Sequence, residues 1–274
     1  MHPMETSRGD RTKFSERPTV LITGASSGIG AVYADRFAHR GHNLVLVARD
    51  ETRMRALASR LEQEAPVTID ILKTDLTAAA DLARVESRLR EDERIGVLVN
   101  NAGEAAPGSF TNPDSESLEH LIRLNVTALT RLTSAIIPRY LRQGGGAIIN
   151  IASVVALAPE RPLGAYGATK SYVLALSQNL QSELGPRGIY VQAVLPAATR
   201  TEIFQRSGRD LNALTGVMDV NEMVDAALVG FDRREAVTLP SLPDVKQWEA
   251  FDTARQAMLP NFANAHAAAR YSIR

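Results

Sequence analysis

Tyr166 and Lys170 stand four residues apart in the segment Tyr166-Gly167-Ala168-Thr169-Lys170. On a helix that spacing puts both side chains on one face. A phenol with its ordinary pKa of about 10 is a poor acid or base at neutral pH. A neighbouring ammonium favours the phenolate and lowers that value. A tyrosine tuned in this way can give a proton to a carbonyl oxygen or take one from an alcohol. Ser153 lies thirteen residues earlier, at the end of an apolar run, where its hydroxyl can hold a substrate oxygen. Tyrosine and lysine also meet on helices by chance, so the pair needs support from the rest of the chain.

That support is a glycine-rich turn, Thr23-Gly24-Ala25-Ser26-Ser27-Gly28-Ile29-Gly30. Glycines permit the tight turn and a close approach of backbone to a pyrophosphate. A helix opening at the turn offers unpaired N–H groups and the positive end of its dipole. The spacing is G-x-x-x-G-x-G rather than G-x-G-x-x-G, and a plain strand-to-helix turn is the rival reading. A second strand end reads Val47-Ala48-Arg49-Asp50. A carboxylate at this place accepts from the 2′-hydroxyl of NAD, whereas an arginine accommodates the 2′-phosphate of NADP. Arg49 offers a planar, bidentate phosphate contact, and a solvated surface arginine is the alternative. Asp50 is expected at the N-cap of the next helix, facing backbone N–H groups instead of the nucleotide. NADP(H) is therefore the expected cofactor, with NAD(H) accepted less readily.

The elements that must position these groups alternate along the chain. Strands are expected at Thr19–Thr23, Asn43–Ala48, Val67–Leu72, Ile95–Asn100, Ala147–Ala152, Ile189–Leu195 and Ala236–Leu239. The helical patterns run to about Arg40, then over Asp50–Glu64, Thr77–Asp92, Asp114–Arg142, Tyr166–Leu184 and Val220–Phe231. Gly41 stops the first helix, as C-terminal glycines do. Nearly all-apolar strands alternating with helices indicate a parallel sheet covered on both faces, the doubly wound α/β architecture. Residues 1–17 read as a polar, mobile leader, residues 18–240 as the α/β domain, and residues 241–274 as a helical appendage of that domain.

Composition removes other classes. The 274 residues carry 31 Lys plus Arg and 31 Asp plus Glu, a net charge of zero, which suggests neither nucleic acid nor an anionic membrane as partner. There are no cysteines, which excludes disulfide scaffolds, thiolate metal sites and a cysteine nucleophile. The five histidines form no ligand pattern, and His39 and His42 read as a surface pair, so no metal is expected. Neither a membrane span nor an apolar signal segment is visible, and a cytoplasmic protein is the expectation.

Taken together, the motifs resemble the short-chain dehydrogenase/reductase family over about residues 19–240. The resemblance is carried by Thr23–Gly30, Asp75-Leu76, Asn100-Asn101-Ala102-Gly103, Asn125, Ser153, Tyr166–Lys170 and the segment Pro196 to Thr201. It implies a single Rossmann domain with about seven parallel strands and an NAD(P)-dependent carbonyl/alcohol oxidoreductase. By position it makes Tyr166 the acid/base, Ser153 the substrate-orienting hydroxyl, and Lys170 also a ligand of the nicotinamide ribose. Asn125 would hold a water linking Lys170 to solvent. Gly24, Ser26, Ser27, Gly28, Ile29 and Gly30 would hold the pyrophosphate, and Asp75 with Leu76 the adenine. Asn101, Ala102 and Gly103 would flank the adenosine side, and Pro196, Thr199 and Thr201 the nicotinamide. Ala197 replaces a family glycine, and Ser27 stands where some NADP users carry a basic residue, so NADP preference rests on Arg49. Asp75 is open to a second reading, as N-cap of the helix from Thr77, Asn125 to one as a helix-turn cap or kink bridge, and Ser153 to one as an ordinary strand-end hydroxyl.

The resemblance leads to NADPH-linked reduction of a ketone or aldehyde, with an NAD-dependent alcohol dehydrogenase or a non-catalytic dinucleotide sensor as the rivals. Residues 104–111, 154–165 and 199–217 should bound the substrate; Phe110, Val154, Leu157, Leu163, Phe204 and Leu211 would make a moderately apolar pocket. The chain is expected to form a homodimer or homotetramer through helices 114–142 and 166–184. Leu118, Leu121, Ile122, Leu129, Leu132, Leu174, Leu176 and Leu180 are expected to supply the outer faces.

Overall fold

A computed structural model describes residues 17–105, 114–161, 163–202 and 214–271. Seven strands form one parallel sheet: β1 (Thr19–Thr23), β2 (Leu44–Ala48), β3 (Ile69–Lys73), β4 (Ile95–Asn100), β5 (Gly146–Ile151), β6 (Ile189–Val194) and β7 (Val237–Thr238). Their order is β3-β2-β1-β4-β5-β6-β7. Every residue of β1, β2, β4, β5 and β6 is buried, the signature of a sheet covered on both faces. The strand order reverses between β1 and β4, and the crevice beyond the strands' carboxyl ends at such a point is where ligands bind in this architecture.

The helices divide between the two faces. Tyr33 and Phe37 of α1 (Gly28–His39), Met54 and Leu61 of α2 (Glu51–Glu64), and Met223 and Leu228 of α7 (Val220–Asp232) share one core with Ile22, Leu46 and Val99. Leu82 and Leu89 of α3 (Ala79–Glu91), Leu132 and Ile136 of α5 (Leu129–Gln143), and Leu180 and Leu184 of α6 (Ala165–Leu184) pack on the other face with Leu21, Leu98 and Ile148. Asp50 caps α2 as expected, accepting from Arg53 N at 3.0 Å, and Gly41 follows α1 at φ +80°, a conformation glycine adopts without strain.

Three expectations are corrected. The pattern over 114–142 predicts one continuous helix; instead α4 (Ser115–Ile122) passes into a π-helical turn, Arg123–Ala128, before α5. A π turn takes up one extra residue, which a coarse apolar period does not register. The third helix starts at Ala79, so Asp75 is not its cap; its carboxylate accepts from the N–H and hydroxyl of Thr77 in a local turn. Finally, Leu121, Leu129, Leu132, Leu174 and Leu180 are buried within the chain itself and do not furnish an outer face. Ile122 and Tyr172 are the large apolar side chains left exposed there, at 45% and 38%.

The chain's contacts divide it into two units, residues 1–240 and 241–274. The second contains α8 (Val245–Gln256), capped by Asp244, which accepts from Lys246 N. Trp248 stacks obliquely on Phe251 within it, their ring centroids 5.6 Å apart. No helix among the described residues is long and apolar enough to cross a membrane.

Candidate active site

The glycine turn closes on itself through β4. Gly24 and Gly28 adopt φ +65° and +54°, values that disfavour any residue with a Cβ. A Cβ at Gly30 would lie 2.3 Å from the Gly24 carbonyl oxygen and 2.5 Å from Asn101 Nδ2. Gly30 is thus required for the close packing of α1 on the strand ends. Asn101 Nδ2 donates to the carbonyls of Thr23 and Gly24, at 2.9 and 3.2 Å. The Thr23 hydroxyl accepts from the N–H groups of Asn101 and Ala102, both at 3.0 Å. Thr23 and Asn101 therefore fix the turn. With the backbone so held, the first N–H groups of α1, at Gly28, Ile29 and Gly30, have no carbonyl of their own helix to bond. They point to an anion. Ser27, at the N-cap, makes no side-chain cap bond, and Ser26, Ser27 and Ile29 are half-buried. These features fit the pyrophosphate of a dinucleotide.

Arg49 is exposed at the end of β2, and its charge reaches Asp75. Burial alone would raise the Asp75 carboxyl, but the Thr77 bonds and the positive charge of Arg49 hold it below the usual carboxylate range. Leu76 is buried beside it.

Four candidate catalytic residues come from β5, α6 and the π turn. Lys170, on the buried face of α6, donates from Nζ to the Ile151 carbonyl at 2.9 Å and lies 5.8 Å from the centroid of the Tyr166 ring. Burial lowers its pKa from the ordinary 10.5 to about 8. Two residues past Ile151, Ser153 is buried. Its hydroxyl donates to the Pro196 carbonyl at 3.3 Å and receives Val155 N at 3.4 Å. Asn125 is buried in the π turn, where it makes three bonds. Oδ1 accepts from Glu104 N at 3.0 Å, and Nδ2 donates to Glu104 O at 2.9 Å and to Thr169 Oγ1 at 3.1 Å. Gly103 ties this group together, because a Cβ there would meet Asn125 Oδ1 at 3.1 Å and Lys170 Nζ at 3.5 Å. Tyr166, half-buried, opens the same helix.

The segment after β6 returns to the glycine turn. Thr199 is buried and pairs in a short bridge with Met218. Thr201 lies close enough to Gly28 that its Cβ and Cγ2 would be 3.3 Å from a Cβ there. The structure thus brings Gly28, Thr201, Gly103, Asn125, Lys170 and Ser153 to one end of the sheet. Phe110, Phe204 and Leu211 lie outside the described residues. In the sequence, Thr23 and Thr169 stand inside the motifs and Glu104 at the edge of the substrate range, but none of the three is expected there in the hydrogen-bonding role it has here. Near α1, His39 approaches Asp35 and Glu64, but those carboxylates are already paired with Arg36 and Arg60.

Fold and site fit a dinucleotide-binding α/β protein with Tyr166 and Lys170 as a candidate centre, and sequence comparison gives the family. The profile of the short chain dehydrogenase family matches residues 18–212, and the chain belongs to that family. It is similar to the short-chain dehydrogenase from Sphingobium yanoikuyae, solved in complex with NADPH: 61% identity, covering 93% of this chain and 100% of that one, with a TM-score of 0.91. It is likewise similar to the bulky-bulky ketone specific alcohol dehydrogenase from Comamonas testosteroni, at 56% identity over 94% of this chain and all of that one, with a TM-score of 0.88. Among curated proteins, the human inactive hydroxysteroid dehydrogenase-like protein 1 is 30% identical over 73% of this chain; the match spans 61% of the human protein's length.

Proposed function

We propose that the chain is an NADPH-linked carbonyl reductase that converts a ketone or aldehyde to an alcohol. The observation that carries this reading is the arrangement of Lys170, Asn125 and Ser153 around the end of β5, with Tyr166 one helical turn from Lys170. NADPH, when bound, supplies the hydride. Ser153 orients the carbonyl oxygen by hydrogen bonding, and Tyr166 delivers a proton to that oxygen as negative charge develops on it. The Lys170 ammonium stabilises the phenolate left behind and is the residue placed to hold the nicotinamide ribose. Asn125 holds a water that returns a proton to Lys170 from solvent. Gly24, Ser26, Ser27, Gly28, Ile29 and Gly30 bind the pyrophosphate, and Asp75, Leu76, Asn101, Ala102 and Gly103 the adenosine side. Pro196, Thr199 and Thr201 border the nicotinamide, and Arg49 takes the 2′-phosphate. A neighbour 61% identical that binds NADPH supports this cofactor choice.

The substrate class to try first is a ketone with two bulky substituents, because the Comamonas relative is described as specific for them. We propose a soluble cytoplasmic homodimer or homotetramer associated through the α4–α5 and α6 faces, with residues 241–274 as an appendage of the same domain. Nicotinamide absorbance, followed with a panel of bulky and small ketones against NADPH and NADH, tests the reading. Oxidation of NADPH dependent on a bulky ketone is the expected result. Cofactor binding without turnover on any carbonyl or alcohol would favour the non-catalytic sensor reading; a human relative is described as inactive.

A further inference from the structure

Beneath the candidate site, Asn100, Thr133, Asn150 and Ser177 are buried in one chain of hydrogen bonds. Asn100 ends β4, and Asn150 is its partner in register on β5. Asn100 Nδ2 donates to Asn150 Oδ1 at 2.9 Å and to Thr133 Oγ1 of α5 at 3.0 Å. Asn150 Nδ2 donates to Ser177 Oγ of α6 at 2.9 Å, and that hydroxyl donates to the Val173 carbonyl at 2.7 Å. Asn150 and Ser177 are wholly closed to solvent. The same side of the sheet carries Leu98 and Ile148, so an apolar pair would suit the position. Replacing both partners of a buried bond by apolar groups of like shape is close to neutral for stability. Stability alone therefore does not call for a polar pair here.

Its place in the fold supplies another reason. Lys170, Val173 and Ser177 share one face of α6. Side-chain bonds tie that face to β5 at Lys170, which donates to the Ile151 carbonyl, and at Ser177, which accepts from Asn150. In the proposed reaction the Lys170 ammonium is shared with the ribose and the Tyr166 phenolate. The Asn150–Ser177 tie carries no charge and does not titrate. We propose that Asn150 and Ser177 are positioning residues: their bond fixes where α6 sits along β5. It thereby sets the distance between Ser153, three residues past Asn150, and Tyr166 on the helix. A hydrogen bond is directional, whereas the apolar contacts of Leu180 and Leu184 with the sheet are not and would let the helix slide. A misplacement of about 1 Å can cost about 10²-fold in rate. The role rests on the reading of the chain as a tyrosine-dependent carbonyl reductase.

The test measures kcat, KM and NADPH binding, with the ketone on which the parent is most active, at a temperature where each variant is folded by circular dichroism. Ser177→Ala removes one hydroxyl from a helix interior, where alanine is the most favourable residue. Its kcat should fall about tenfold or more, the scale of a small misplacement near the reacting atoms. KM for the ketone and the NADPH dissociation constant should stay within about threefold. Asn150→Ala should behave alike, and the double variant should fall no further than the slower single one, because all three break the same bond. Ser177→Thr keeps the hydroxyl and should keep kcat near the parent value. Should Asn150→Ala not fold, the contrast between Ser177→Ala and Ser177→Thr decides alone. A loss of packing without a positioning role would lower the melting temperature and leave kcat of the folded protein unchanged. The proposal is overturned by parent-like kcat in Ser177→Ala, by a Ser177→Thr variant as slow as Ser177→Ala, or by a double variant that loses the product of the two single losses. It is also overturned if NADPH binding weakens as much as kcat falls. A parent inert towards every carbonyl and alcohol would sink the reductase reading and the positioning role with it, whereas an active parent whose rate survives Ser177→Ala sinks the positioning role alone.

Discussion

Lys170 is the residue on which the proposed cofactor contact, the proposed proton transfer and stability meet. Its ammonium is buried, and burial brings its pKa down to about 8. A base whose pKa is depressed on folding carries a charging penalty, present in full below the folded value and relieved as pH rises toward the unfolded one. Relative to a Lys170→Met variant, the parent should thus gain stability between about pH 8 and the ordinary lysine value of 10.5. The gain approaches about 1.4 kcal/mol per pH unit inside that window, and melting temperatures of the two proteins at several pH values measure it. A constant difference across the window would mean that Lys170 is not charged at a cost. Arg49 is the proposed 2′-phosphate contact at the other end of the crevice. Arg49→Asp should reverse or erase a preference for NADPH over NADH, because a carboxylate favours the unphosphorylated ribose. Equal affinities in the parent would already contradict the assignment.

At the scale of elements, the π turn Arg123–Ala128 matters most. It buries Asn125, which holds both backbone polar groups of Glu104 and so ties the chain just past β4 to the start of α6 through Thr169. Gly103 sits where this network and Lys170 converge. Gly103→Ala should leave the fold intact while pushing on Asn125 Oδ1, only 3.1 Å from the new methyl. The expected outcome is a loss of turnover of about 10²-fold or more, the scale that small misplacements near a catalytic centre can reach, with an unchanged circular dichroism spectrum. Parent-like turnover would show that the network does not position the site. The sequence announced the strands here through unbroken apolar runs, and Asp50 announced its cap. It did not announce the π turn, since one extra residue leaves the surrounding apolar pattern nearly unaltered. Nor could it pair Arg53 with Glu202, whose ion pair (2.7 Å) exists only once the sheet has brought α2 and the segment after β6 together.

For the whole molecule, the question is which surfaces remain for association. Periodicity showed that α4, α5 and α6 are rich in leucine, but not whether a leucine faces its own sheet or a partner. Most of them face the sheet. What is left on the α4–α6 side is Ile122, Tyr172 and the hydrogen-bonded hydroxyls of Thr130 and Tyr172, 2.9 Å apart. A dimer or tetramer formed there should bury roughly 1,200 Å² or more, and Ile122→Glu with Tyr172→Glu should dissociate it. Light scattering at micromolar concentration reads this directly, and a monomeric parent would refute the assignment. The doubly wound architecture was legible because all-apolar strands leave few alternatives, and the placement of the candidate motifs because they fall at strand ends.

The central claim is that Tyr166 is the proton donor to a carbonyl, and one substitution tests it. Tyr166→Phe removes a hydroxyl and almost no volume, so the fold and the nucleotide site should survive. Loss of a positioned general acid costs about 10²–10⁴ in rate. For the best ketone found with the parent protein, single-turnover reduction by the variant saturated with NADPH should fall by at least that factor, while NADPH binding stays within about twofold, a change of only ~0.4 kcal/mol. Reduction of that ketone by Tyr166→Phe at the parent rate would contradict the account and, with it, the reading of this chain as a tyrosine-dependent carbonyl reductase.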